Sequence, residues 1–102
     1  MQTRELRDLA WIGDAVLALY ARQWLLEQSQ HPLFTRQELF TRLTSNAFLQ
    51  ALGEPTTVEA RIGNVYREGG LEAGFAYIEQ HLRPLFQKHI NNATRGRRGQ
   101  RR

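Results

Sequence analysis

Residues 9–20 read Leu-Ala-Trp-Ile-Gly-Asp-Ala-Val-Leu-Ala-Leu-Tyr, an apolar run with a single charge, Asp14, at its middle. The run sits in a longer segment with apolar residues at Leu6, Leu9, Trp11, Ile12, Val16, Leu17, Leu19, Tyr20, Trp24 and Leu25. As a helix this segment is apolar on more than one face, and such a helix must be covered on nearly all sides. A carboxylate in that setting is costly to desolvate unless a hydrogen-bonded cation or a metal ion offsets the cost.

The remaining periodicity is helical as well. Thr3 can cap the first helix, which is expected to run to about Gln28. Pro32 breaks the connection that follows, and Thr35-Arg-Gln-Glu38 has capping-box spacing before Leu39, Phe40 and Leu43. Residues 45–52 read as another short helix, closed by Gly53-Glu-Pro55, and residues 56–68 as a further one with Val58, Ile62 and Val65 on one stripe. Gly69-Gly70 separates it from a last helix through Leu71, Phe75, Ile78 and Leu82, which Pro84 kinks or ends, with Leu85 and Phe86 still buried. No alternating strand pattern is present, so the expected fold is all-α, with about five helices.

A chain of 102 residues is expected to form one domain with one core, some of whose cover comes from a second subunit. The absence of cysteine excludes disulfides and thiolate metal sites. The apolar run follows a charged Arg-Glu-Leu-Arg-Asp stretch and is interrupted by Arg22 and Gln23, which fits neither a secretory signal nor a membrane span. The expectation is a soluble, cytoplasmic protein with no membrane partner. Five of the fourteen basic residues, Arg95, Arg97, Arg98, Arg101 and Arg102, lie in the last ten positions. Residues 1–90 are therefore read as the helical domain, near neutral in charge, and residues 91–102 as a basic, disordered tail able to attract phosphate.

Two carboxylates stand beside small residues in apolar helices. Asp14 lies between Gly13 and Ala15, and Glu59 lies near Ala60 and Gly63. Helices crossing at these residues would bring the two acids together, and paired oxygen ligands suit Mg²⁺, which takes one or two protein carboxylates and keeps several waters. Other readings use the same residues. Glu59 can complete a capping box with Thr56, and Asp14 can be neutralised by Arg61 or Arg22. His31, His81 and His89 are far apart and read as surface residues, and Trp11 and Trp24 as core or interface.

Leu9-Ala-Trp-Ile-Gly-Asp-Ala-Val-Leu17 resembles the signature helix of ribonuclease III domains. The stretch from Val58 through Glu59, Gly63, Tyr66, Gly69 and Gly70 to Ala73 is similar to that family's second motif, and Leu43-Thr-Ser-Asn-Ala-Phe-Leu49 to the helix between them. The similarity runs in order over most of residues 6–86. The compact Mini-ribonuclease III type, which has no double-stranded-RNA-binding domain, is the nearest form.

The resemblance implies a homodimeric endoribonuclease that cleaves double-stranded or structured RNA using Mg²⁺, with Mn²⁺ as an alternative. It implies a dimer built on the first long helix, with Trp11 inserted into the partner. Asp14 and Glu59 become the catalytic, metal-holding residues, with Asn46 and Thr56 as supporting candidates and the C-terminal arginines as RNA contacts. The chain departs from the family pattern where Ala10, Thr56 and Asn46 stand in place of usual acids, and where Gly53-Glu-Pro55 replaces the compact type's basic insertion. The alternative function is therefore a catalytically degenerate ribonuclease III-like module that binds RNA or a ribonucleoprotein.

Overall fold

The structure, a computed structural model, describes residues 3–99. Five helices follow in order: α1 Thr3–Glu27, α2 Arg36–Leu43, α3 Asn46–Leu49, α4 Pro55–His81 and α5 Arg83–Gly99. Among the described residues there is no strand, so the all-α expectation holds. None of the helices is long and apolar enough to cross a membrane, among the described residues.

α1 is the axis of the molecule. Its residues Val16, Leu17, Tyr20, Trp24 and Leu25 enter one core with Leu43 and Leu49 from the short helices, Ile62 and Ile78 from α4, and Phe86 from α5. Phe86 is fully buried, and its ring meets Tyr20, Trp24 and Phe48 at centroid separations of 6.1, 5.4 and 5.3 Å. Trp24 is thus a core residue. Burying side chains of this size stabilises the fold by about 1.5–3 kcal/mol each.

Local chemistry sets the boundaries. Thr35 and Glu38 form the expected capping box at the start of α2. The segment expected to be helical over residues 45–52 contains only the four-residue α3, capped by the Ser45 hydroxyl. α4 starts one residue earlier than expected, because Pro55 has its φ preset for the first helical position. The Glu54 carboxylate caps it, accepting from the Thr57 N–H at 2.7 Å.

Gly70 divides α4 (φ 84°, ψ −175°) in a backbone conformation open to glycine alone. Before it, Leu9 meets Gly63 and Gly13 meets Glu59, an antiparallel crossing with α1. After it, Val16 meets Gly74 and Tyr20 hydrogen-bonds Glu79, so the second half follows α1 in its own direction. The Gly69-Gly70 break expected from sequence is therefore a chain reversal.

Pro84 occupies the first turn of α5, where a missing N–H costs nothing. α5 then runs to Gly99, so residues 91–99 are helical where the sequence reading has a disordered tail. The reason is a continued apolar stripe, Phe86, Ile90 and the partly buried Ala93, ending in Arg97. Arg97 donates to the Leu33 carbonyl, stacks on Phe34 at 4.4 Å and reaches Glu38 at 3.4 Å. His31 adds a bond to Thr94 at 3.1 Å, and His89 meets Phe48 edge-on at 5.4 Å. Both histidines are half-buried structural contacts, and only His81 is exposed as the sequence reading expects.

Candidate metal centre

The site is built by a backbone-to-backbone crossing of α1 and α4. A Cβ placed on Gly13 would fall 2.7 Å from the Glu59 carbonyl carbon and 2.9 Å from the Gly63 nitrogen, and closer still to the Glu59 oxygen. One placed on Gly63 would fall 2.9 Å from the Leu9 carbonyl carbon. The glycines therefore remove the side-chain layer that ordinarily holds helix axes 8–10 Å apart. Ala10 and Ala60, both buried beside Leu9, continue this small-residue seam.

The acid that follows Gly13 and the acid whose carbonyl Gly13 touches are consequently neighbours. Asp14 is near enough to Glu59 to act on its carboxyl group. The Glu59 pKa is raised to about 7, first by burial, then by the hydrogen bond to Asp14 and the negative charges of Asp14 and Glu54. Asp14 itself is exposed, so the single chain avoids the full desolvation cost that its apolar sequence context implies.

The competing readings of these residues do not match the geometry. Glu54 occupies the N-cap of α4, so Thr56 and Glu59 form no capping box. The Glu54 carboxylate accepts instead from the Thr57 N–H and hydroxyl, at 2.7 and 3.0 Å. Arg22 lies 4.1 Å above the Phe40 ring. Among the described residues the salt bridges are Arg83–Glu79 and Arg97–Glu38, and neither involves Asp14 or Arg61.

The other sequence candidates are dispersed. Asn46 is the exposed first residue of α3 and makes no side-chain hydrogen bond to Asp14 or Glu59 among the described residues. Ala10, one turn before Asp14, is buried against Ala60 and offers no ligand atom. Among the described residues no group of three or more His, Cys, Asp or Glu side chains converges on one point. Trp11 is 81% exposed, on the same helix three residues before Asp14, and Leu19 and Leu26 are exposed on its side of α1.

Of the arginines assigned to RNA, Arg95 is exposed and Arg97 is half-buried with its guanidinium committed to Leu33 and Glu38. The side chain of Arg98, and Arg101 and Arg102 entirely, lie outside the described residues.

The donor set is two hard carboxylates, one of them reluctant to ionise beside the other. A small oxygen-seeking dication would relieve that repulsion, so Asp14 and Glu59 fit Mg²⁺ or Mn²⁺, with the remaining coordination left to water or substrate oxygen. Comparison with protein-family descriptions, curated proteins and solved structures finds no match to this chain.

Proposed function

We propose that the chain is a Mg²⁺-dependent endoribonuclease acting on double-stranded or structured RNA as a homodimer, with membership of the ribonuclease III superfamily and a cytoplasmic location as parts of the same reading. The observation that carries it is the Asp14–Glu59 pair, set side by side by a glycine crossing at the motif positions that resemble the family's. Asp14 and Glu59 would hold the cation. A bound dication supplies charge stabilisation at a phosphodiester and a more acidic attacking water.

The protein groups have distinct parts in this scheme. Glu59 must give up its proton for the pair to accept a cation, so binding is favoured as pH rises through about 7. Asp14, being exposed, is the member of the pair that substrate would reach first. Thr57 keeps the Glu54 carboxylate on the helix N-terminus, which fixes the first turn of α4 ahead of Glu59. Asn46 is retained as a supporting candidate that orients water. Trp11, with Leu19 and Leu26, supplies the apolar surface through which α1 would dimerise. The test is cleavage of a generic RNA duplex with Mg²⁺ or Mn²⁺ and its suppression by chelation.

A second reading, a catalytically degenerate module that binds RNA or a ribonucleoprotein, is favoured by one observation. Ala10 is sealed against Ala60, and the site holds two acids where the resembled family has more. If neither metal alters stability or RNA cleavage, this second reading replaces the first.

A further inference from the structure

We infer that the solvent face of α5, centred on Lys88 and Arg95, is a docking surface for the sugar-phosphate backbone of structured RNA. This inference rests on the proposed RNA substrate and moves its grip from a terminal tail to a helix face.

Charge is the first ground. Over its whole length, Arg83–Gly99, α5 carries no acidic residue, whereas Arg83, Lys88, Arg95, Arg97 and Arg98 are basic. Lys88 and Arg95 are both exposed, and a spacing of seven residues puts them on one face about 10 Å apart along the axis. Asn92 lies between them, also exposed, with an amide able to bond phosphate or ribose oxygen. Arg42 of α2 extends the positive surface. It stacks on Phe34 at 5.0 Å and its charge is felt at His89, whose pKa is lowered by burial first and by Arg42 second.

Rigidity is the second ground. Arg97 is used internally, on Leu33, Phe34 and Glu38, and it pins the last turns of α5 to the loop before α2. The two acids that contact α5 are both engaged: Glu38 by Arg97 and the Thr35 N–H, and Glu79 by Arg83 and Tyr20. The cations on the outer face are thereby presented on an ordered helix, which lowers the ordering cost of binding.

The same geometry disfavours a membrane. A helix lying in a bilayer interface inserts its apolar side. Here that side, Phe86 and Ile90, is buried in the protein core, and the outer face shows Gln87, Lys88, Asn91, Asn92 and Arg95.

The experiment measures binding of the full chain to a generic RNA duplex in EDTA as a function of salt, for wild type, the double variant Lys88→Gln/Arg95→Gln and the charge-preserving Lys88→Arg/Arg95→Lys. Wild type and the charge-preserving variant should bind alike. The neutralised variant should lose about 10-fold or more in affinity and about 2 from the salt slope, one per cation removed. An unchanged slope in the neutralised variant, no wild-type binding at low salt, or tighter wild-type binding to phosphatidylserine vesicles than to RNA would each overturn the inference. Cleavage in Mg²⁺ is scored separately. Cleavage with an unchanged salt slope defeats this surface alone, whereas binding lost in the neutralised variant without wild-type cleavage defeats the nuclease reading alone.

Discussion

Gly13 lies against the main chain of Glu59 so closely that a single added methyl group would strike the Glu59 carbonyl. The contact is reciprocal, because Gly63 meets Leu9 one turn away on each helix. Fold and site are therefore one arrangement: the crossing that joins α1 to α4 is also what makes Asp14 and Glu59 neighbours.

Gly13→Ala and Gly63→Ala should each destabilise the protein by about 3 kcal/mol or more, because backbone atoms must move to admit the methyl. Gly96→Ala is the control. Nothing lies within 4 Å of its Cβ position, and it sits within α5. There the same substitution should stabilise by about 0.5–1 kcal/mol through helix propensity and the unfolded state. Urea unfolding midpoints of the three variants check both signs.

The Glu59 carboxyl makes stability depend on pH in a stated direction. Its folded pKa, about 7, lies above the ordinary carboxylate value. Its contribution is fully present below the unfolded pKa of about 4.3 and is lost as pH rises toward 7. Without divalent cations, wild type should lose stability relative to Glu59→Gln over this interval. His89, Glu38, Glu54 and Glu79, whose pKa values are lowered, contribute in the opposite direction in both proteins. Glu59→Gln should lack this loss and be more stable than wild type at pH 8 by about 1 kcal/mol, a figure reduced for partial solvent screening. Denaturation in EDTA between pH 4 and pH 8 measures it, and a difference between wild type and Glu59→Gln that does not change across the interval contradicts the assignment.

Trp11→Ala should weaken self-association. An exposed tryptophan seated in a partner contributes about 2 kcal/mol or more at an interface. A homodimer loses two of them, so the dimer dissociation constant should rise roughly 10³-fold. Sedimentation equilibrium resolves such a change. A wild type that stays monomeric at micromolar concentration rules the dimer out.

Arg97→Ala should loosen the end of α5 without unfolding the core. The variant loses its bond to the Leu33 carbonyl and its stacking on Phe34, each worth about 0.5–1.5 kcal/mol. Hydrogen exchange of amides 93–99 should accelerate, while the buried helix around Leu17 keeps its protection. Equal protection at residues 93–99 in both proteins contradicts the bracing role.

Much of the architecture was legible before any coordinates. The all-round apolar pattern of α1, the Thr35–Glu38 capping box and the Gly69-Gly70 break each act through local chemistry, which periodicity and turn residues report directly. The meeting of Asp14 with Glu59 was visible as a possibility because Gly13 and Gly63 mark a close crossing. What was not legible depends on distant partners. Arg97 orders α5 through Leu33 and Glu38, so an arginine- and glycine-rich end read as disordered is helical to Gly99. Glu54 takes the N-cap because Pro55 starts the helix, which frees Glu59 from the capping role its spacing with Thr56 offers. The exposure of Asp14 depends on how much of α1 a single chain can cover, and local sequence does not report that.

The joint action of Asp14 and Glu59 in phosphodiester cleavage is put to the test by single-turnover cleavage of an RNA duplex in saturating Mg²⁺ by wild type and Asp14→Asn. The variant preserves shape and removes one ligand charge. Wild type should show metal-dependent cleavage and Asp14→Asn a loss of about 10²-fold or more, equivalent to roughly 2.7 kcal/mol of transition-state stabilisation. Cleavage by Asp14→Asn at the wild-type rate would contradict that joint action.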